Sequence, residues 1–387
     1  MGGLLKVGRP FGVKVNIHWS FWLVVLWAGG EGIRWSGRWQ GAFFAVGAIL
    51  LFFLCVLLHE LGHALTAKLL GLEVKGITLL PFGGLAQIHN ISQNSWQEFV
   101  VVLAGPMVNL LLALVLGVGF LFVWGADLMI DFTHSAGTVA AGVARSVFSG
   151  GNLVALTAFL ILTNLLLVAF NLLPAFPMDG GRLLRASLAM QMPYQRATRI
   201  AVRIGQGLAI VIIGLTLTPV FSLQSPSAVF IAVFVFVGAT YEDKVTQARW
   251  RLHKLQVGDV MSTPNVTFIS PEERLGMVME RVFKAPQFDL PVLVQGTLTG
   301  MLRRDDLLIA LRHGQADLPV SRVMRTDYPS VRPGDTLQTA QDQMLRSKFA
   351  TLPVLHRGNL VGLISIRDVN GPLSTGALAN GSVAKSA

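Results

Sequence analysis

Long stretches without Lys, Arg, Asp or Glu, separated by short basic segments, organise the first two thirds of the chain. Val15–Gly30 is one such stretch, short enough to make a marginal or tilted span. Gly41–Leu58 is the second, and the helix-compatible "HELGHALTAKLLG" follows it directly. Phe99–Ala126 is long enough to cross a hydrocarbon core, which takes about 20 helical residues. Ser146–Met178 runs for 33 residues, interrupted near its end by "NLLPAFP". Ile204–Tyr241 runs for 38, and Pro219, Ser225 and Pro226 divide it into two spans. The pattern predicts about six spans. After Lys254 the apolar runs shorten and charges appear every few residues.

The same C-terminal segment repeats itself. "VGDVMSTPNVTFISPEERL" at 257 matches "VSRVMRTDYPSVRPGDTL" at 320, and "DLPVLVQGTLTGMLRRDDLL" at 289 matches "TLPVLHRGNLVGLISIRDVN" at 351. Each unit reads as a Val-Met opening, a short strand, a helix, an "LPVL" strand, a turn, a "GxL" strand and a closing helix. Units repeated in this way pack against each other. The end of the chain, "LSTGALANGSVAKSA", is small and polar, as disordered segments are.

Composition supports a membrane protein. Of 387 residues, 52% are hydrophobic and 13% charged, against roughly 25% charged in soluble domains. One cysteine, Cys55, excludes a disulfide framework and cysteine metal motifs. The N-terminus lacks a clear small-residue cleavage pattern, so the first run reads as a retained span. Of the net charge of +10, most belongs to residues 1–254, with 17 Lys/Arg against 9 Asp/Glu. Basic loops facing an anionic leaflet explain that excess better than a nucleic-acid surface does. With the N-terminus cytoplasmic, the inside segments hold Lys6, Arg9, Lys14, Lys68, Lys75, Arg182, Arg185, Arg196, Arg199 and Arg203. The outside loops keep Arg34, Arg38 and Arg145. Both termini are therefore expected in the cytoplasm, at the cell's inner membrane.

Three ionisable residues stand at the end of the second run. His59 and His63 are four apart and share one helical face. H-E-x-x-H presents both imidazoles to one zinc, with Glu60 beside them as general base. The bare pattern also arises by chance, and a polar helix end in the interface is the plain alternative. Charged groups at membrane depth are costly, however, and are commonly functional. A catalytic zinc takes a third protein ligand and keeps an open position. Asp179 is the sole acidic residue between Asp131 and Glu242, and Pro174 and Pro177 break the span just before it. On local grounds it serves equally as the N-cap of a helix over "GGRLLRASLAM".

HELGH in one span, with "NLLPAFPMDGGR" downstream, resembles the site-2 protease family of intramembrane zinc metalloproteases. "AGPMVNLLLAL" at 104–114 is similar to that family's small-residue span, and "LLPFGGLAQI" at 79–88 to its re-entrant sheet segment. "VNIHWSF" at 15–21 is similar to its first span. The resemblance runs over residues 10–245. It implies one zinc held by His59, His63 and Asp179, Glu60 as general base, and Asn171 positioning substrate or the oxyanion. It also implies shaping of the break by Pro174, and a backbone segment at Phe82, Gly83 and Gly84 that an extended substrate pairs with. Asn109 resembles the family's asparagine of the third span; interhelical hydrogen bonding is its preferred role. His18 reads as a satisfied interfacial histidine, and His89 and His134 as loop residues.

The C-terminal repeats resemble a tandem CBS pair. The expected fold is thus an α-helical polytopic membrane domain with a re-entrant β segment over residues 1–250. A cytoplasmic α/β CBS pair follows at 251–371, with repeats at about 255–313 and 318–371 and a disordered tail at 372–387. CBS pairs bind adenosine nucleotides through a G-x-x-[ST]-x-x-D stretch. The second repeat keeps it in Gly362, Ser365 and Asp368; the first has Arg303 at the Ser/Thr position, with Asp306 aligned to Asp368. ATP, ADP or AMP is therefore the expected effector, and the pair also offers a homodimer surface. Together the two resemblances imply regulated intramembrane proteolysis of transmembrane protein substrates within membrane lipid. Two competing classes are an ion transporter with CBS domains, disfavoured by the lack of internal symmetry in residues 1–245, and an inactive zinc scaffold, disfavoured by the presence of Glu60.

Overall fold

The computed structural model describes residues 4–81, 83–88, 94–125, 147, 153–217, 226–263, 267–285 and 287–374. The chain divides into two compact units, Met1–Asp243 and Lys244–Ala387. Phe82, His89, His134, Arg145, Pro219, Ser225 and residues 375–387 lie outside the described residues.

The first unit begins with strands β1 (Leu4–Gly8) and β2 (Val15–His18), then helices α1 (Phe21–Ser36) and α2 (Trp39–Leu69). Strands β3 (Val74–Leu80) and β4 (Gly83–Ile88) follow α2. The sheet order is β1-β2-β3-β4, with β2 parallel to β3 and the outer pairs antiparallel. Val13 and Ile77 bury the sheet against Leu61 and Ala64 of α2. The first expected span is corrected here. Val-Asn-Ile-His alternates apolar and polar side chains, the period of a strand. It pairs with Ile77–Leu79, and the helix starts only at Phe21. Absence of charge alone does not separate the two.

Helix α3 (Ser95–Trp124) is capped by Asn94, whose Oδ1 accepts from the Trp96 N–H at 3.0 Å. Its buried face carries Gly105, Asn109, Ala113 and Gly117 at a spacing of four, while Leu110, Leu111, Leu114 and Phe122 are exposed. Small residues on one face let a neighbouring helix approach closely, as membrane helices do. Helix α4 (Leu153–Asn171) ends in an irregular segment, and α5 (Asp179–Ala189), α6 (Tyr194–Leu217) and α7 (Pro226–Lys254) follow. Within the irregular segment, Ala175 and Phe176 are buried against α6 and α7. Among the described residues, four helices are long and apolar enough to cross a membrane: Trp39–Leu69, Ser95–Trp124, Leu153–Asn171 and Tyr194–Thr216.

In the second unit each repeat forms a hairpin, β5 (Asp289–Val294) with β6 (Thr297–Arg303) and β7 (Thr351–His356) with β8 (Asn359–Ser365). Both turns take positive φ at two successive residues, Gln295–Gly296 and Arg357–Gly358, the conformation that matches the twist of a two-residue hairpin. Helices α8 (Val257–Val260), α9 (Leu275–Lys284), α10 (Arg304–Arg312), α11 (Leu337–Ser347) and α12 (Ile366–Ser374) complete the unit.

The repeats exchange their openings. The Ser262 N–H donates to the Leu363 carbonyl at 2.8 Å, and the Met301 N–H donates to the Arg325 carbonyl at 2.9 Å. Asp289 and Thr351, equivalent positions in the two repeats, meet directly. The Asp289 carboxylate accepts from the N–H groups of Ala350 (2.7 Å) and Thr351 (2.9 Å). Burial pushes the Asp289 carboxyl up from its ordinary range, opposed by those two donors. Asp289→Ala leaves buried N–H groups unpaired, and we expect a loss of about 1–3 kcal/mol of stability, read as a lowered denaturation midpoint of the second unit.

Candidate metal centre

The site is built from three helices. On α2, His59 and His63 are four positions apart, so one helical face carries both. Their Nε2 atoms lie 3.1 Å apart, and the Asp179 Oδ2 atom lies 3.1 Å from each. Among the described residues this is the one set of three His, Cys, Asp or Glu side chains placed to share an ion. Both histidines are buried and the carboxylate nearly so. Asp179 is the first residue of α5, and Met178 holds the cap position. The capping alternative is therefore not what the carboxylate does: it faces the two imidazoles.

The tautomer of His63 follows from its second nitrogen. Its Nδ1–H donates to the Val101 carbonyl at 2.8 Å, because a carbonyl only accepts. In neutral His63 the Nε2 atom then presents a lone pair. Two imidazole nitrogens and a carboxylate oxygen converging in this way repel one another unless a proton or a cation lies among them. Zinc bonds to such atoms measure about 2.0–2.1 Å, which puts two ligands of one tetrahedral ion roughly 3.3 Å apart. The donor set and its spacing fit that ion.

The third helix contributes backbone alone. Gly105 of α3 faces the pair of histidines, and a Cβ there would overlap the Nε2 atoms of both. Sequence reasoning missed Gly105. The only available signal was its place in a run of small residues, which reads equally as helix packing.

Glu60 lies on the strand side of the same helix. Its Oε2 accepts from the Ala86 N–H of β4 at 3.0 Å. Gly84 makes room for it, since a Cβ at that position would strike the Glu60 side chain. β4 is one of the two edge strands of the described sheet, and its Gly83 and Gly84 pair with Leu80 and Leu79. The base candidate and the strand expected to meet substrate are thus in contact.

Other expected residues lie further off. Asn171 ends α4 and Pro174 is exposed in the segment before Asp179; among the described residues no hydrogen bond joins Asn171 to the three-residue cluster. Asn109 is fully buried on α3, and neither of its amide atoms pairs with a described residue, in contrast to the interhelical bond expected for it. His18 stays local, with its Nδ1 2.6 Å from the Ser20 Oγ.

In the C-terminal repeats the two aligned aspartates differ. Asp368 accepts from the Ser365 N–H (2.8 Å) and Oγ (2.7 Å). Asp306 is engaged by Arg325, whose Nε lies 2.8 Å away, with Arg303 at 3.9 Å.

Residues 47–212 match Peptidase family M50, and residues 257–313 and 320–371 each match the CBS domain. The chain is similar to zinc metalloprotease MJ0392 of Methanocaldococcus jannaschii, 32% identical over 302 residues that cover 77% of each protein. It is also similar to stage IV sporulation protein FB of Bacillus subtilis, 30% identical over 191 residues covering 49% of this chain and 52% of that protein. Among solved structures, the site-2 protease from Methanocaldococcus jannaschii aligns at 28% identity over 62% of this chain and 95% of that one, with a TM-score of 0.41.

Gly105→Val puts two methyl groups against both imidazoles. The expected outcome is a helical protein with at least tenfold weaker zinc retention, measured by elemental analysis after dialysis against a chelator.

Proposed function

Because the chain belongs to Peptidase family M50, the zinc metalloproteases of site-2 type, with a CBS pair behind its catalytic part, we propose that it hydrolyses peptide bonds in or near transmembrane segments of other proteins, under control of an adenosine nucleotide. The observation that carries the reading is the convergence of His59, His63 and Asp179 beside Glu60 and the edge of β4. His59, His63 and Asp179 would hold zinc. What zinc supplies when bound is Lewis acidity: it lowers the pKa of bound water to about 7 and polarises the scissile carbonyl.

The chain's own residues do the rest. Glu60 accepts the proton of the attacking water and delivers it to the departing amine nitrogen, so that one water is consumed and one C–N bond broken. The Val101 carbonyl holds His63 in the tautomer that leaves Nε2 open. A transmembrane helix must unwind before its carbonyls become accessible, and pairing with an exposed strand edge stabilises the extended form. Gly83 and Gly84 offer that edge, and Phe82 adjoins it. Asn171 and Pro174 lie just upstream of Asp179, where they would position the substrate chain; Asn109 sits deeper on α3.

The four apolar helices and the basic segments support a multi-pass protein of the inner membrane with both termini in the cytoplasm. At the CBS pair, Asp368 and Ser365 hold the ribose hydroxyls of the effector, and the Arg303–Asp306–Arg325 contacts set the first repeat apart.

Glu60→Gln and Asp179→Ala separate the roles. Glu60→Gln should keep its zinc and lose cleavage of a membrane-protein substrate by about 10²–10⁴-fold or more, whereas Asp179→Ala should lose the metal as well. Near-normal turnover of the purified Glu60→Gln protein sinks the mechanism. For the effector, calorimetric titration with ATP, ADP and AMP should detect binding to the full-length protein at millimolar concentration or below. Binding should vanish in Asp368→Ala; equal binding by that variant removes the nucleotide site.

A further inference from the structure

A second set of buried charges lies outside the residues given roles above. Arg185 of α5 is 3% exposed and Glu98 of α3 is fully buried. One guanidinium nitrogen of Arg185, Nη2, donates to Glu98 and the other, Nη1, to Glu242 of α7. The guanidinium also lies over the rings of Phe176 (5.1 Å) and Tyr194 (5.0 Å). A single side chain therefore joins α3, α5, α7 and the irregular segment before α5.

Desolvation offsets most of the attraction in such buried pairs, so they are a weak source of stability. What a planar two-armed donor fixes is geometry, because both carboxylates must lie in its plane at set directions. Two of the helices held in this way, α3 and α5, contribute to the metal centre. Glu98 precedes Val101, the acceptor of the His63 Nδ1–H, by three residues, or about one helical turn. Gly105, against both histidines, lies two turns along the same helix. Arg185 follows Asp179 by six residues, about 9 Å along α5.

We infer that Arg185, bridging Glu98 and Glu242, is a positioning residue for the metal-ligand set: it holds the helix bearing Asp179 against the helix that orients His63. The inference rests on the zinc assignment made above. Its distinguishing consequence is kinetic: loosening the bridge frees Asp179 to swing away from the histidines, and the bound metal escapes faster. Arg185 acts through the placement of helices and not as a direct partner of a metal ligand, so the expected effect is about tenfold, the low end of what such partners contribute.

The test uses full-length, zinc-loaded protein in detergent, with zinc release to a chelator followed by a metal-sensitive dye. Far-UV circular dichroism and thermal midpoints are recorded in parallel. Glu242→Gln keeps the shape of a partly exposed side chain and should fold, releasing zinc about tenfold faster than wild type. Arg185→Gln should release it faster still, and the double variant no faster than Arg185→Gln alone, because both changes break one bridge. Ala113→Gly, a destabilising change elsewhere on α3, should release zinc at the wild-type rate.

If Arg185→Gln does not fold, Glu242→Gln decides. Zinc release from it within twofold of wild type overturns the inference, as does equal acceleration by Ala113→Gly. Wild-type protein that holds no zinc overturns the metal assignment instead, so the two failures are told apart.

Discussion

The contact of one carboxylate oxygen with two imidazole nitrogens constrains this structure more than any other. Asp179 reaches His59 and His63 across 120 and 116 residues of sequence, and α3 packs closely against both helices that carry them. Gly105 permits that approach by removing a side chain from α3, and the irregular segment after Asn171 permits it by ending one helix and starting another with Asp179 as its first residue. A carboxylate in this position would be costly among apolar helices without partners. The surrounding polar contacts, from the Val101 carbonyl to the Arg185 bridge, are arranged around that one convergence.

How much of this was legible in the sequence depends on how far each signal extends along the chain. The apolar runs were readable because lipid excludes charge over some twenty residues at a time. The H-E-x-x-H spacing was readable because a helix places residues four apart on one face. Val15–His18 was misread because a strand and a short span are both uncharged; the arbiter was pairing with Ile77–Leu79, some sixty residues away. Arg185 was counted as one more basic residue of a cytoplasmic segment. Its burial depends on Glu98 and Glu242, 87 and 57 residues distant, and no local pattern links the three. Gly105 carried no signal of its own, since glycine on a membrane helix is ordinary packing material.

The C-terminal repeats make the same point about a motif and its surroundings. Their hairpins share register residue for residue, Pro291 opposite Met301 and Pro353 opposite Leu363. Their aligned aspartates nevertheless face different fields. Asp306 lies among arginines, and Asp368 folds back on its own Ser365. Substitution of Ser or Thr by Arg303 removes the hydroxyl that would let the first repeat copy the second.

The hydrogen bond between Glu60 and the Ala86 N–H carries a consequence for the idle molecule. One N–H makes one well-aligned hydrogen bond. A chain that extended the sheet beyond β4 in register would require that same N–H for its ladder, and Glu60 would have to release it. Occupancy of the strand edge and freedom of the Glu60 carboxylate would then be a single variable: a guest strand that completed the ladder would also untie Glu60.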